Sequence, residues 1–326
     1  MRTFFFIVLA IGSLGWLSYN LDLGMVVQNL TNANPVFLLG MVMVYFLLCL
    51  VRSLRWKSVP IFSEMGHGTL FGVTGLHGFW NNILPARTGE VSFSFLLKKH
   101  SGINMGHSAG ILMMVRIYDA FATVITMLFL LPWIYVLQYG GNEFNLQNTS
   151  YLILIIIFLL LVIINGEKIL KNLLWFFDTS FPNFRVKKTI LAVAEDFNYG
   201  MVQISGLKVR LKIFVLTVVC NFLTYLIFYF AFKSLGINVT LIALLIGSTF
   251  TLLGSLLPIN APGNIGAFDA GWIGGFLLTG LTKHDAVASC FIMHSMVLIS
   301  ALLAGALSYA VLNFRKGGVN HKSIID

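Results

Sequence analysis

Six polar residues interrupt otherwise apolar stretches of this chain: Arg87 and Glu90, Arg116 and Asp119, Asn264 and Asp269. An ionisable side chain inside a membrane segment is costly, and by default it points to a functional site. Arginine suggests one chemistry in particular. Its planar guanidinium grips phosphate oxygens through paired hydrogen bonds. Arg87 and Arg116 are therefore candidate ligands for an anionic head group, with Glu90, Asp119 and Asp269 balancing or switching their charge. Asn264, with Asn81, Asn82 and Asn260, can hydrogen-bond backbone groups freed by a broken helix, and touch a ligand second.

Each of these readings has a structural alternative. Arg87 and Glu90 could be an internal ion pair that locks a turn. Arg116 and Asp119, at i and i+3, share one helix face and can neutralise each other. Asp269 has no basic neighbour in sequence. It pairs with Arg87 or Arg116 from the other half of the chain, or exchanges a proton with a cavity, and the first is simpler. His77 and His294 read as hydrogen-bonded core residues. The other histidines sit at segment ends without metal-ligand spacing, so no metal is expected.

The segments that carry these residues are broken in a characteristic way. Pro85-Ala86-Arg87-Thr88-Gly89-Glu90 interrupts one hydrophobic stretch, and Pro258 with Pro262-Gly263-Asn264-Ile265-Gly266 interrupts another. Lipid offers no water to a freed backbone group, so such breaks persist only inside protein or against a wet cavity. Two of them in corresponding halves point to a transporter-type site near the bilayer midplane.

Composition agrees. The 326 residues are 58% hydrophobic and 10% charged, with a mean hydropathy of +0.88, where soluble domains carry about 25% charged residues. The net charge of +9 comes mostly from short connections between apolar segments. That is the pattern of cytoplasmic loops, and it leaves little for nucleic acid to bind. Cys49, Cys220 and Cys290 all lie in apolar segments and form no disulfide or zinc framework.

Apolar spans fall at about 4–19, 36–51, 68–97, 109–137, 151–165, 213–232, 240–281 and 287–312, the third and seventh interrupted. Arg52, Arg55, Lys57, Lys98, Lys99, the connection 166–212 and Arg315 with Lys316 mark the cytoplasmic side. Loops 20–35 and 138–150 have no Lys or Arg and are external. By parity, 68–97 enters and returns on the cytoplasmic face, its second arm of 12 residues (86–97) reaching only about 18 Å. Stretch 240–281 returns on the external face, with arms long enough to span. The expected fold is an all-α polytopic membrane protein of six full spans and two opposed hairpins, forming one domain over 1–326. Both termini are cytoplasmic, in the inner membrane of the cell.

The halves 36–137 and 213–312 each read as span, broken hairpin, span, with opposite charge sidedness. Pro85-x-x-x-Gly89 answers Pro262-x-x-x-Gly266, and His107-Ser108-Ala109 answers His284-Asp285-Ala286. An inverted repeat of this kind is a transporter signature. The connection 166–212 mixes basic residues with Leu173-Leu174-Trp175-Phe176-Phe177, which suits a helix lying on an anionic leaflet, the alternative being a topology-setting loop with a short soluble helix.

Pro85-Ala86-Arg87-Thr88-Gly89-Glu90, Arg116-Ile117-Tyr118-Asp119 and Pro262-Gly263-Asn264-Ile265-Gly266-Ala267-Phe268-Asp269 together resemble the flippase-like transmembrane domain of lysylphosphatidylglycerol synthases. The resemblance covers nearly the whole chain. It implies movement of an anionic phospholipid or polyprenyl-linked precursor between leaflets, with membrane lipid as the partner. Asp269 stands where that family usually has Glu, Ser92-Phe93-Ser94 where an Arg often follows the first Glu, and His294 where an Arg is common. The chain ends at Asp326 without the aminoacyl-transferase domain of the full synthases, so lysylphosphatidylglycerol is not carried over as its lipid. No P-loop is present, and neither ATP consumption nor a cofactor is expected. One alternative is a membrane transferase acting on a lipid-linked sugar, weakened because loop 20–35 offers only Asp22 as an acid. Another is a non-catalytic partner delivering lipid to a separate synthase or glycosyltransferase. A homo-oligomer is compatible with all three.

Overall fold

Proline and glycine set the helix boundaries that matter here. In a computed structural model describing residues 33–139, 146–180, 187–257 and 261–314, helix α1 (Pro35–Lys57) starts with Pro35 in its first turn. Asn34 caps it, its side chain accepting from the Val36 amide at 3.0 Å. Helix α2 (His67–Ile83) stops because Leu84 precedes Pro85, and a residue before proline is pushed into extended backbone. A short 3-10 turn, Pro85–Arg87, leads to α3 (Glu90–Ser101). That helix ends at Gly102 in the left-handed conformation, φ 70°.

Helix α4 (Met105–Tyr139) is followed by α5 (Leu146–Ser180), α6 (Lys187–Val202) and α7 (Leu207–Ser234). Helix α8 (Leu241–Leu256) is capped by Thr240 and ends at Leu257, extended before Pro258 as Leu84 is before Pro85. The turn Pro262–Asn264, α9 (Ala267–Leu277) and α10 (Lys283–Phe314) complete the described residues. No strand occurs among them. Helices α1, α4, α5, α7 and α10 are long and apolar enough to cross a membrane. With the composition, this makes the protein an all-α polytopic membrane protein. The expected span at 4–19 and residue Pro258 lie outside the described residues.

Two expected boundaries change. The arms of 240–281 are shorter than hydropathy suggested: α8 has 16 residues and α9 has 11, or about 24 and 16 Å at 1.5 Å per residue. Neither reaches the ~20 residues of a comfortable span. Hydropathy merged them because the break carries few charges. The connection 166–212 also does not hold a separate surface helix around Leu173–Phe176. Those residues continue α5, within the apolar stretch Ile153–Phe176. Helix α6 docks on α4 instead, with Gly110 and Gly200 letting the backbones approach and His107 3.2 Å from Asp196.

Helices α1–α4 and α7–α10 follow one packing rule. The contact of α2 with α10 is answered by α8 with α4, α1 with α10 by α7 with α4, and each hairpin packs on the long helix after it. Helices α1 and α7 pair with each other, antiparallel: Asn34 N–H donates to the Ser234 carbonyl, Phe37 meets Phe230, and Arg55 meets Thr217. Within the second hairpin, Gly247, Gly254, Gly271 and Gly275 form a seam in which backbone meets backbone. A Cβ on Gly254 would lie 2.2 Å from the Ala267 carbonyl oxygen, so the close approach depends on small residues.

Candidate functional site

The two hairpin turns touch each other, and beside them lies a cavity of about 180 Å³. Arg87 and Asn264 reach it from the two breaks, Arg52 and Arg55 from α1, Arg116 and Asp119 from α4, and His294 from α10. A water needs only ~10–15 Å³ of such space, so the volume is ample for solvent or a polar head group. It falls below the ~300–1,000 Å³ of drug-sized pockets.

The charged side chains form one continuous ladder. Arg87 Nη1 is 3.5 Å from Glu90 Oε1, whose same oxygen is 3.0 Å from Arg116 Nε. Arg116 Nη1 is 3.4 Å from Asp119 Oδ2, and Asp119 Oδ1 is 2.5 Å from Arg55 Nη1. Arg55 also donates to Thr217 Oγ1 at 3.0 Å. The structure thus brings Arg87, Glu90, Arg116 and Asp119 together, and both expected pairs are present as parts of a larger network. Salt bridges with one partner removed are strongly destabilising when buried, so the ladder is structural as well as available to a ligand.

Local backbone explains how Arg87 gets there. It sits at φ 55° and Asn264 at φ 63°, the two described non-glycine residues in the left-handed region. Asparagine tolerates that region, whereas arginine there is uncommon. The turn between α2 and α3 also needs Gly89, whose Cβ position is filled by the Trp80–Asn81 backbone at 2.5 Å. A tight turn held against the end of α2 aims Arg87 into the cavity.

Arg52 and Arg55 are the residues that sequence reasoning misplaced. They count as loop charges by hydropathy, yet they lie in the last two turns of α1, and Arg55 is 3% exposed. Lys57, the last residue of α1, donates to the Met65 carbonyl at 3.2 Å. The signal that could have found the arginines is their i, i+3 spacing, which puts both on one face of a helix otherwise apolar enough to span.

Asp269 finds a histidine where an arginine was expected. His294 Nδ1 lies 2.9 Å from Asp269 Oδ1, while His294 Nε2 donates to the Gly263 carbonyl. A carbonyl only accepts, so Nε2 carries a proton, and a second proton sits between Nδ1 and Oδ1. Shared either way, that proton leaves the pair neutral overall. The Gly266 N–H donates to Asp269 Oδ2 at 2.8 Å and the Cys290 thiol to Oδ1 at 3.3 Å. Asp269 therefore anchors the second break to α10 and reaches the cavity through His294. Asp269, Cys290 and His294 also have donor atoms within 4.8 Å of one another and are the group among the described residues that could hold a metal ion. The Cys290 thiol and the His294 imidazole each already bond to Asp269 Oδ1. His77 is a core residue, 7% exposed, near Ser92 Oγ and edge-on to Phe93.

Gly263 and Gly266, at φ 78° and 129°, allow the turn that presents this carbonyl and this amide. Of the other break residues, Pro85 and Pro262 open their 3-10 turns. Phe228, Leu252, Phe268 and Val297 give the cavity an apolar wall opposite in character to the ladder.

Known proteins bear on this arrangement. A UPF0104 membrane protein of Methanocaldococcus jannaschii is 24% identical over 251 residues, covering 75% of this chain and 99% of that protein. No solved structure matches. The transmembrane region of lysylphosphatidylglycerol synthase matches residues 4–305, the span that contains both hairpins and every residue of the ladder, and the chain belongs to that family.

Proposed function

We propose that this protein is a lipid translocase, which moves an anionic phospholipid or polyprenyl-linked precursor between leaflets and receives its phosphate in the arginine-lined cavity. The observation that carries the reading is Arg87, held at the break between α2 and α3 and facing a cavity lined by further guanidiniums. Membership in a membrane-embedded family linked to lipid supports it. The cavity's mixed wall suits a head group on one side and the start of a hydrocarbon chain on the other.

The antiparallel pairing of α1 with α7 and the matched contacts of the two halves support an inverted repeat with two opposed re-entrant hairpins. In that arrangement the breaks lie near the midplane of the cell membrane and both termini are cytoplasmic. Opening alternates between leaflets as the halves rock. The chain's role is transport rather than covalent chemistry.

The test is lipid movement in reconstituted vesicles, followed by quenching of a fluorescent anionic phospholipid in the outer leaflet. Arg87→Ala is expected to abolish movement while the protein still inserts. Arg87→Lys stays impaired, because a point charge does not reproduce bidentate contact. Full transport by Arg87→Ala refutes the phosphate site.

A further inference from the structure

The charge count of the cavity says more about the head group than its sign. Four guanidiniums line it, those of Arg52, Arg55, Arg87 and Arg116. Two carboxylates answer them: Asp119 bridges Arg55 and Arg116, and Glu90 bridges Arg116 and Arg87. The Asp269–His294 pair is neutral in sum. Arg52 pairs with no carboxylate among the described residues. Two positive charges are left over beside a partly apolar wall, where uncompensated charge is expensive.

We infer that the head group this cavity takes is dianionic, a phosphate monoester or a diphosphate rather than a phosphodiester. The inference rests on the translocase reading and narrows its substrate class. A phosphodiester such as phosphatidylglycerol brings one charge and leaves the site at +1. A monoester has a second ionisation near pH 6 and brings close to two at neutral pH. It also presents three terminal oxygens, enough for two guanidiniums to engage in forked pairs.

Two further observations favour this. Arg55 is 3% exposed, lines the cavity, and its Nε has no hydrogen-bond partner, while its Nη1 donates to both Asp119 and Thr217. Donor capacity is therefore left on a buried side chain that shares a helix face with Arg52. The helix N-termini at the two breaks do not compete for the ligand, since each has its own carboxylate, Glu90 in the first turn of α3 and Asp269 in that of α9. The volume of about 180 Å³ fits a compact head group with its chain passing out along the apolar wall.

Native mass spectrometry of the purified full chain in mixed micelles tests the inference, with dioleoyl phosphatidic acid, dioleoyl phosphatidylglycerol and farnesyl phosphate as probes. Phosphatidic acid should bind about tenfold more tightly than phosphatidylglycerol, the worth of one more charge-assisted hydrogen bond. Farnesyl phosphate binding tighter than phosphatidic acid would identify a prenyl rather than a glycerol lipid. Competition by millimolar inorganic phosphate alone, without retention of either monoester lipid, would overturn a lipid source. Arg52→Gln should collapse the monoester-to-diester ratio toward one, whereas Arg52→Lys, which keeps the charge, should largely preserve it. Equal binding of the two glycerolipids by the native chain, or an unchanged ratio in Arg52→Gln, refutes the dianion while leaving the translocase reading in place. Binding of no anionic lipid at all refutes both.

Discussion

Removing the carboxylate at the centre of the arginine ladder should cost more than removing the arginine it serves most closely. Asp119 sits between Arg55 at 2.5 Å and Arg116 at 3.4 Å. In Asp119→Leu, Arg116 keeps Glu90 at 3.0 Å, but Arg55 loses the carboxylate that compensates it while its side chain remains 4% exposed. Stranding a buried charge costs about 3–5 kcal/mol. Coulomb's law gives a similar figure, about 4 kcal/mol for charges ~4 Å apart at an effective dielectric constant near 20. In Arg55→Leu, by contrast, Asp119 retains Arg116, and the loss is that of one charged hydrogen bond with its packing, about 1.5–3 kcal/mol. Combining the two changes removes the stranded guanidinium. Arg55→Leu introduced into Asp119→Leu should therefore restore about 2 kcal/mol instead of subtracting more. Thermal unfolding in detergent, read from intrinsic tryptophan fluorescence, checks this. Each kcal/mol is worth about 2 °C in a chain this long, so Asp119→Leu should lower Tm by roughly 6–10 °C and the double variant should recover about 4 °C. A double variant less stable than Asp119→Leu alone would refute the account of the ladder as a charge-compensated unit.

Other outcomes follow from the hairpins. Gly254→Ala should destabilise the protein by at least about 1–3 kcal/mol, because its Cβ would meet the Ala267 carbonyl at 2.2 Å and backbone cannot swing aside; the check is Tm and yield against Gly274→Ala, a site with open space. Asp269→Asn should stay close to native stability, since an amide can still accept from Gly266 and donate to His294 Nδ1, while Asp269→Ala loses about 1–3 kcal/mol; both should slow lipid movement in vesicles. A cysteine placed at Lys99 should react with an impermeant reagent only from the cytoplasmic side and one at Thr282 only from outside, and labelling of both from one side would refute opposed hairpins.

The sequence alone determined where the two hairpins break and what class of molecule this is. A run of apolar residues long enough to cross lipid needs no partner to be recognised, and the prolines after Leu84 and Leu257 end their helices by local sterics. The pairs Arg87–Glu90 and Arg116–Asp119 were legible for the same reason, being three residues apart on a local geometry. Tertiary structure decided everything that depends on which face of a helix meets which neighbour. Arg52 and Arg55 read as cytoplasmic loop charges because hydropathy averages over a window and is blind to direction. Only the packing of α1 against α7 turns them inward, where Arg55 meets Asp119 of α4 across 64 residues. Asp269 could have paired with any cation brought to the second break. It meets His294 because α9 folds back onto α10, and no local pattern encodes that contact across 25 residues. Charge excess in the cavity, and with it the proposed preference for a doubly charged head group, is a property of that assembly. It is a sum over side chains from three separate helices and one turn, and it exists only once they are brought to one place.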